Sequence, residues 1–315
     1  MTHLIPTRRN ILVGGAALTL TALAAPRLAF AASHAKETAS IEGVARRTVG
    51  EHEVIAFLDG RIALEPGILS GASDEEIRAQ IEGSGAFEGF INAFVVRGPD
   101  ETVLVDAGAG QMMGDGSGRL DAKLTEAGIE ASSIGTVLLT HLHPDHIGGL
   151  LGEGELALPD ARAVVHEREA EFWRSDENKA AAGEGAAQFF DAARAVLDKF
   201  GDRMEMISGE TDVAGGLRSM ELFGHTPGHT GFMLDSGGER MLVWGDIIHV
   251  PPVQLALPDV TIAFDVNPDE ARATRARVLD MAATDGVPVA GMHLVFPAMG
   301  QVVREGEAYG FETMG

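Results

Sequence analysis

Residues 140–150, THLHPDHIGGL, place His141, His143, Asp145 and His146 within six positions. The whole chain has only 11 histidines in 315 residues. Immediately before them, Thr136-Val137-Leu138-Leu139 reads as a short buried strand, so the polar cluster begins where the strand stops. Three more polar positions follow the ends of apolar runs. His229 lies six residues past Phe223, Asp246 follows Val243-Trp244, and His293 follows Val289-Ala290. Strand ends on one edge of a sheet converge in space. His141, His143, Asp145, His146, His229, Asp246 and His293 are therefore candidate metal ligands. Imidazole with carboxylate suits Zn²⁺, Mn²⁺, Co²⁺ or Fe²⁺ better than Ca²⁺ or Mg²⁺. Seven donors exceed what one tetrahedral ion uses, which implies two ions, with zinc the default expectation.

The N-terminus reads as a leader. MTHLIPTRRN is basic, residues 11–25 are apolar, and Ala29-Phe30-Ala31 is an A-x-A cleavage site. Thr7-Arg8-Arg9-Asn10-Ile11-Leu12 resembles the twin-arginine export signal, so residues 1–31 are expected to direct the chain to the periplasm or beyond. An uncleaved anchor is the alternative. Residues 32–315 then form one domain with no membrane partner. That part has 21 basic against 47 acidic residues, a formal charge of −26, which argues against nucleic acid as a partner. With no cysteine in the chain, disulfides and thiolate nucleophiles are excluded. No G-x-S-x-G elbow, P-loop or G-x-G-x-x-G occurs, so serine-hydrolase and nucleotide chemistry lack their usual carriers.

Along the chain, residues 53–58 and 61–64 around Asp59-Gly60 predict a hairpin. Ser73-Asp74-Glu75-Glu76 predicts a capping box and a short helix. Residues 91–96 and 102–106 form a second hairpin, and Leu120, Leu124 and Ala127 share a helix face. Residues 161–165, 217–223, 231–235 and 240–244 read as strands, 185–200 and 267–283 as helices, 177–185 as a loop, and 287–291 as a last buried strand. No internal repeat or linker divides the series. The class is α+β, with a sheet-on-sheet core flanked by helices.

The histidine motif, together with Asp106 in VLVDAG, His229 in GHTPGHTG, Asp246 in WGD and His293 in GMHLVFPAMG, resembles the metallo-β-lactamase superfamily across the whole chain after the leader. The resemblance implies a four-layer αββα sandwich with a dinuclear site at the sheet edge. It implies that His141, His143 and His229 hold one ion, that Asp145, His146 and His293 hold the other, and that Asp246 bridges them. Asp106 would orient the histidine loop from behind. Two ions would activate a water for attack on a carbonyl or phosphoryl centre, with no side-chain nucleophile required.

The stretch from Val243 to Ala271, with HLVFPAMG, is most similar to the methyl parathion hydrolase branch, which sits among lactonases. That branch implies a small-molecule substrate and, by analogy, a homodimer. Many lactonases of the superfamily carry a tyrosine between the third histidine and the bridging aspartate. Here the only tyrosine is Tyr309, and His249 is the candidate substitute. Asp145, Asp246 and His249 are thus the catalytic candidates. Trp173, Phe189 and Phe190 are candidates to line the substrate pocket, although their spacing fits core equally well. His225 is read as a loop residue, because Thr226-Pro227-Gly228 forbids a helix joining it to His229, and His166 as solvated. The expected activity is hydrolysis of neutral, partly apolar lactones or esters, of the N-acyl-homoserine lactone or aromatic lactone type. A phosphotriester hydrolase and a non-catalytic periplasmic metal-binding protein are the alternatives.

Overall fold

The computed structural model describes residues 41–82, 88–152 and 154–314; the leader and its cleavage site lie outside them. Two seven-stranded sheets form the core. The first runs, edge to edge, Val44–Val49, His52–Ala63, Glu88–Arg97, Thr102–Val105, Thr136–Leu138, Arg162–His166 and Met204–Ile207. Its first half is antiparallel and its last four strands are parallel. The second runs Ala308–Thr313, Met299–Glu305, Val289–Ala290, Glu239–Val243, Thr230–Ser236, Leu217–Glu221 and Asp212–Ala214. Only Glu239–Val243 and Val289–Ala290 pair in parallel there.

The inner strands of the first sheet are buried on both faces, which is why they read as nearly continuous apolar runs. Val54, Ala56, Phe94, Val96, Val103 and Val105 meet Phe232, Leu234, Val243 and Met299 between the sheets. Their neighbours Ile55, Phe57, Ala93, Val95 and Leu104 face outward and pack under Leu120, Leu124, Phe190, Val196 and Leu197. Those side chains come from the helices Leu120–Glu126 and Glu184–Phe200. The helix Pro268–Asp285 adds Val278, Leu279 and Ala282 to the cluster of the second sheet. Its ends are well capped: Asn267 Oδ1 accepts from Glu270 N at 3.3 Å, proline fills the first turn, and Gly286 closes the far end in the left-handed region. The four-layer αββα arrangement is the one expected.

Three local expectations are overturned. Asp59-Gly60 closes no hairpin; His52–Ala63 is one strand whose register against Glu88–Arg97 shifts between Leu58 and Gly60, a β-bulge. The Asp59 carboxylate turns instead to a neighbouring loop, accepting from Ala109 N (2.9 Å), Gly118 N (3.2 Å) and Leu120 N (2.8 Å). A Cβ on Gly60 would lie 2.4 Å from Ser117 Cα, so close approach explains the glycine. The 177–185 stretch is not all loop: Asp176–Ala181 is a helix capped by Ser175, its polarity that of a solvated surface. Finally, 287–291 is not the last strand, because Met299–Glu305 and Ala308–Thr313 add a hairpin beyond it.

Candidate metal centre

Every element feeding the site delivers its polar residue just past a strand. Asp106 follows Thr102–Val105 and the histidine stretch follows Thr136–Leu138. His225 lies between Leu217–Glu221 and Thr230–Ser236. Asp246 and His249 follow Glu239–Val243, and His293 follows Val289–Ala290. Pro144 in the first turn of the helix Pro144–Ile147 bends the chain after His143, which brings Asp145 and His146 back toward the same point.

Two groups of donors result. In the first, His141 Nε2 lies 2.9 Å from His143 Nδ1, and His143 Nδ1 lies 3.0 Å from His225 Nε2. Asp246 Oδ2 is 3.7 Å from His141 Nε2 and 3.4 Å from His225 Nε2. In the second, Asp145 Oδ2 lies 3.7 Å from His146 Nε2 and 3.5 Å from His293 Nε2. Asp246 closes this group too, with Oδ1 3.3 Å from His146 Nε2 and Oδ2 3.0 Å from His293 Nε2. One carboxylate therefore touches both sets.

The far side of each ring tells which nitrogen faces inward. His146 Nδ1 is 2.7 Å from Asp106 Oδ2, His225 Nδ1 is 2.8 Å from Asp265 Oδ1, and His293 Nδ1 is 2.6 Å from the Phe90 carbonyl. An acceptor at Nδ1 fixes the proton there and leaves the Nε2 lone pair for the centre. Asp106 holds a left-handed backbone (φ 57°) and also accepts from Thr140 N and Thr140 Oγ1. Its expected place behind the histidine loop is the observed one. Asn92 secures the last loop, donating from Nδ2 to Met292 O and Leu294 O on either side of His293.

Electrostatically the site is a carboxylate among imidazoles. Burial, helped by neighbouring rings, holds His141 and His143 well below the usual imidazole range. Burial would raise Asp246, but the rings of His146, His293, His141 and His249 outweigh it and keep the carboxyl well below its usual value. Burial would lower His146, yet the carboxylates of Asp246, Asp145 and Asp106 drive it well above. Positive charge is favoured at this point. His146 Nε2 and Asp246 Oδ1, one from each of the facing donors, are buried with no hydrogen-bond partner, a costly state that a cation relieves. His143 Nδ1 faces two other ring nitrogens, His141 Nε2 at 2.9 Å and His225 Nε2 at 3.0 Å, and cannot satisfy both, whereas donors around one tetrahedral Zn²⁺ lie about 3.3 Å apart. The residues fit a pair of transition-metal ions.

Six of the seven expected ligands, His141, His143, Asp145, His146, Asp246 and His293, converge as expected. His229 does not join them. Its Nδ1 lies 2.8 Å from the Leu222 carbonyl and its Nε2 accepts from the Asp246 backbone N–H at 2.9 Å. Burial pushes it down to about 3, as befits a neutral ring that braces the Asp246 turn. His225, read from the sequence as a loop residue, stands among the donors instead, with His141, His143 and Asp246. Distance from the strand end carries the signal: His225 is four residues past Glu221, close to the spacing of the other donors, and His229 is eight.

His249 stands in the cluster, 3.1 Å from Asp246 Oδ2 and stacked on His293, with burial lowering it to about 4. His166 is buried, not solvated: its Nδ1 accepts from Arg168 N and caps the helix Glu167–Arg174. A cavity of about 390 Å³ opens over the donors, walled by Ile62, Leu64, Met113, Phe189, Ile262 and Phe264 with Arg61. Of the three aromatic candidates only Phe189 lines it. Trp173 packs edge-on behind His143, and Phe190 belongs to the core beneath the helices.

Residues 86–293 match the family model described as the metallo-β-lactamase superfamily. The chain belongs to that superfamily of metal-dependent hydrolases. Among solved structures, a hydrolase of the β-lactamase superfamily designated AbOPH shares 27% identity, with 88% of this chain and 99% of that one covered at a TM-score of 0.81. AidC, a dizinc quorum-quenching lactonase in complex with an N-acyl homoserine product, shares 23% identity over 87% and 98% of the two chains, also at 0.81. A quorum-quenching N-acyl homoserine lactone lactonase shares 17% over 81% and 100%, at 0.55. No curated protein sequence matches the chain.

Proposed function

We propose that the protein is a dinuclear metal hydrolase of neutral, partly apolar lactones or esters, of the N-acyl-homoserine lactone or aromatic lactone type. One observation carries the reading: two donor groups joined by Asp246 form the floor of a cavity whose walls are mainly apolar. His141, His143, His225 and Asp246 would hold one ion, and Asp145, His146, His293 and Asp246 the other. Zn²⁺ is the first choice, and Mn²⁺, Co²⁺ or Fe²⁺ suits the same donors. Such a pair of ions, when bound, would supply a water of near-neutral pKa and a Lewis acid for an ester carbonyl.

The chain's own residues supply the rest. Phe189, Ile262 and Phe264 hold the apolar part of a substrate and exclude bulk water. His249, a neutral ring between Asp246 and the cavity, helps to shape the site beside the reacting group of a substrate. The likeness to AbOPH and to the lactonase AidC supports the hydrolase class, and the mainly apolar cavity supports a neutral substrate. We also propose that the leader takes the folded chain out of the cytoplasm; a reporter fused to residues 1–40 should be exported, and Arg8→Lys with Arg9→Lys should stop it.

The experiment compares kcat/KM for an acyl-homoserine lactone, dihydrocoumarin and methyl paraoxon on one zinc-loaded preparation. A lactone is expected to be turned over best. A phosphotriester preferred by more than about tenfold, roughly 1.4 kcal/mol of transition-state stabilisation, would replace this reading with the phosphotriesterase one.

A further inference from the structure

Glu169 sits on the helix Glu167–Arg174 and has no exposed surface. Among the described residues, no lysine or arginine pairs with it. A carboxylate in that position costs desolvation energy unless its oxygens are well satisfied. They are satisfied by two separate loops. Oε1 accepts from the backbone N–H of Leu142 at 3.1 Å and from Trp173 Nε1 at 2.6 Å, while Oε2 accepts from the backbone N–H of Gly228 at 3.0 Å.

Leu142 lies between His141 and His143, and Gly228 lies in the loop that begins with His225. The two loops are far apart in sequence, and a single side chain bonds to both. The approach is close. A Cβ on Gly228 would stand 2.3 Å from Glu169 N and 2.6 Å from Glu169 Cβ, so only glycine admits the contact. Directly across the joint, His143 Nδ1 faces His225 Nε2 at 3.0 Å. The donor set of the first ion is thus drawn from both sides of the clamp.

We propose that Glu169 is a positioning residue for the metal centre, clamping the His141–His143 loop to the His225 loop so that their three imidazoles converge on one ion. The proposal rests on the metal-centre reading above. Metal–ligand distances tolerate deviations of only about 0.2 Å, so loosening the loops costs affinity at this ion before it costs fold. Groups that orient ligands from behind typically change metal affinity by about 10–100-fold.

The test is a competition titration of the full chain with Zn²⁺ against a chromophoric chelator, well below the unfolding midpoint of the metal-free protein. Wild type should bind two ions. In Glu169→Gln the shape is kept, but the amide nitrogen cannot accept from a backbone N–H, so one loop loses its anchor. One ion should weaken by about 10–100-fold while the other stays within about threefold. Gly228→Ala, which forces the loop off Glu169, should reproduce this signature and carries the test if Glu169→Gln does not fold. Trp173→Phe removes a donor that belongs to neither loop and should leave both affinities within about threefold.

Unchanged zinc affinity in Glu169→Gln and Gly228→Ala would overturn the clamp. So would an equal loss in Trp173→Phe, which would assign the effect to local packing. A wild-type chain that binds no zinc would take down the metal-centre reading and the clamp together; two tight ions in wild type with unaltered variants would take down the clamp alone.

Discussion

Asp246 is the residue both halves of the site share, its two oxygens within 3.0–3.7 Å of ring nitrogens from His141, His146, His225, His249 and His293. Asp246→Ala should abolish nearly all turnover, by about a thousandfold or more, while far-ultraviolet dichroism shows the fold retained. Near-wild-type turnover would reject the shared role. Asp265 acts at one remove. It accepts from His225 Nδ1 and from Ile262 N, and lies beside the buried Arg275, which also donates to Ile247 O and Val260 O. Asp265→Ala should cut zinc affinity by about 10–100-fold through His225, and the same variant should leave the second ion nearly untouched. Most of this centre is legible from residue type and position after a strand. GHTPGHTG is the exception, because its two histidines share one local pattern and only packing separates ligand from brace: His229 spends both nitrogens on backbone groups. Glu169, Asp265 and Asn92 stay hidden in the sequence because each acts through contacts 27 to 202 residues away.

At the scale of elements, the strands and helices with a strong period are where the sequence puts them, from Glu88–Arg97 to Pro268–Asp285. The Asp59-Gly60 bulge shows where local chemistry misleads. Asp-Gly between β-branched runs is a strong hairpin signal, but here both residues serve a loop more than 45 positions away. Asp59→Ala would leave the backbone N–H groups of Ala109, Gly118 and Leu120 without their acceptor. Allowing about 1–3 kcal/mol for each buried donor and partial rescue by water, a loss of roughly 2–4 kcal/mol is expected in urea unfolding. A loss below about 0.5 kcal/mol would mean that the loop holds itself. The C-terminal hairpin Met299–Glu305/Ala308–Thr313 is missed for the opposite reason: its outer strand is only partly buried and its alternation is weak.

For the whole molecule, the sandwich and the metal centre are one construction, since Asp106, His141, Asp246 and His293 all hang from strand ends of the two sheets. With no cysteine to crosslink it, bound metal becomes a source of stability. Ions that bind only the folded chain stabilise it by about 4 kcal/mol each at a thousand times Kd. Chelation should therefore lower the thermal midpoint by on the order of 10 °C, read by scanning calorimetry; an unmoved midpoint would show that the fold does not depend on the ions. The central claim, two ions sharing Asp246, is tested most directly by anomalous diffraction at the zinc edge on crystals of the zinc-loaded protein. Two peaks are predicted, one among His141, His143 and His225, the other among Asp145, His146 and His293, with Asp246 between them. A single peak, or a peak at His229 in place of His225, would contradict it.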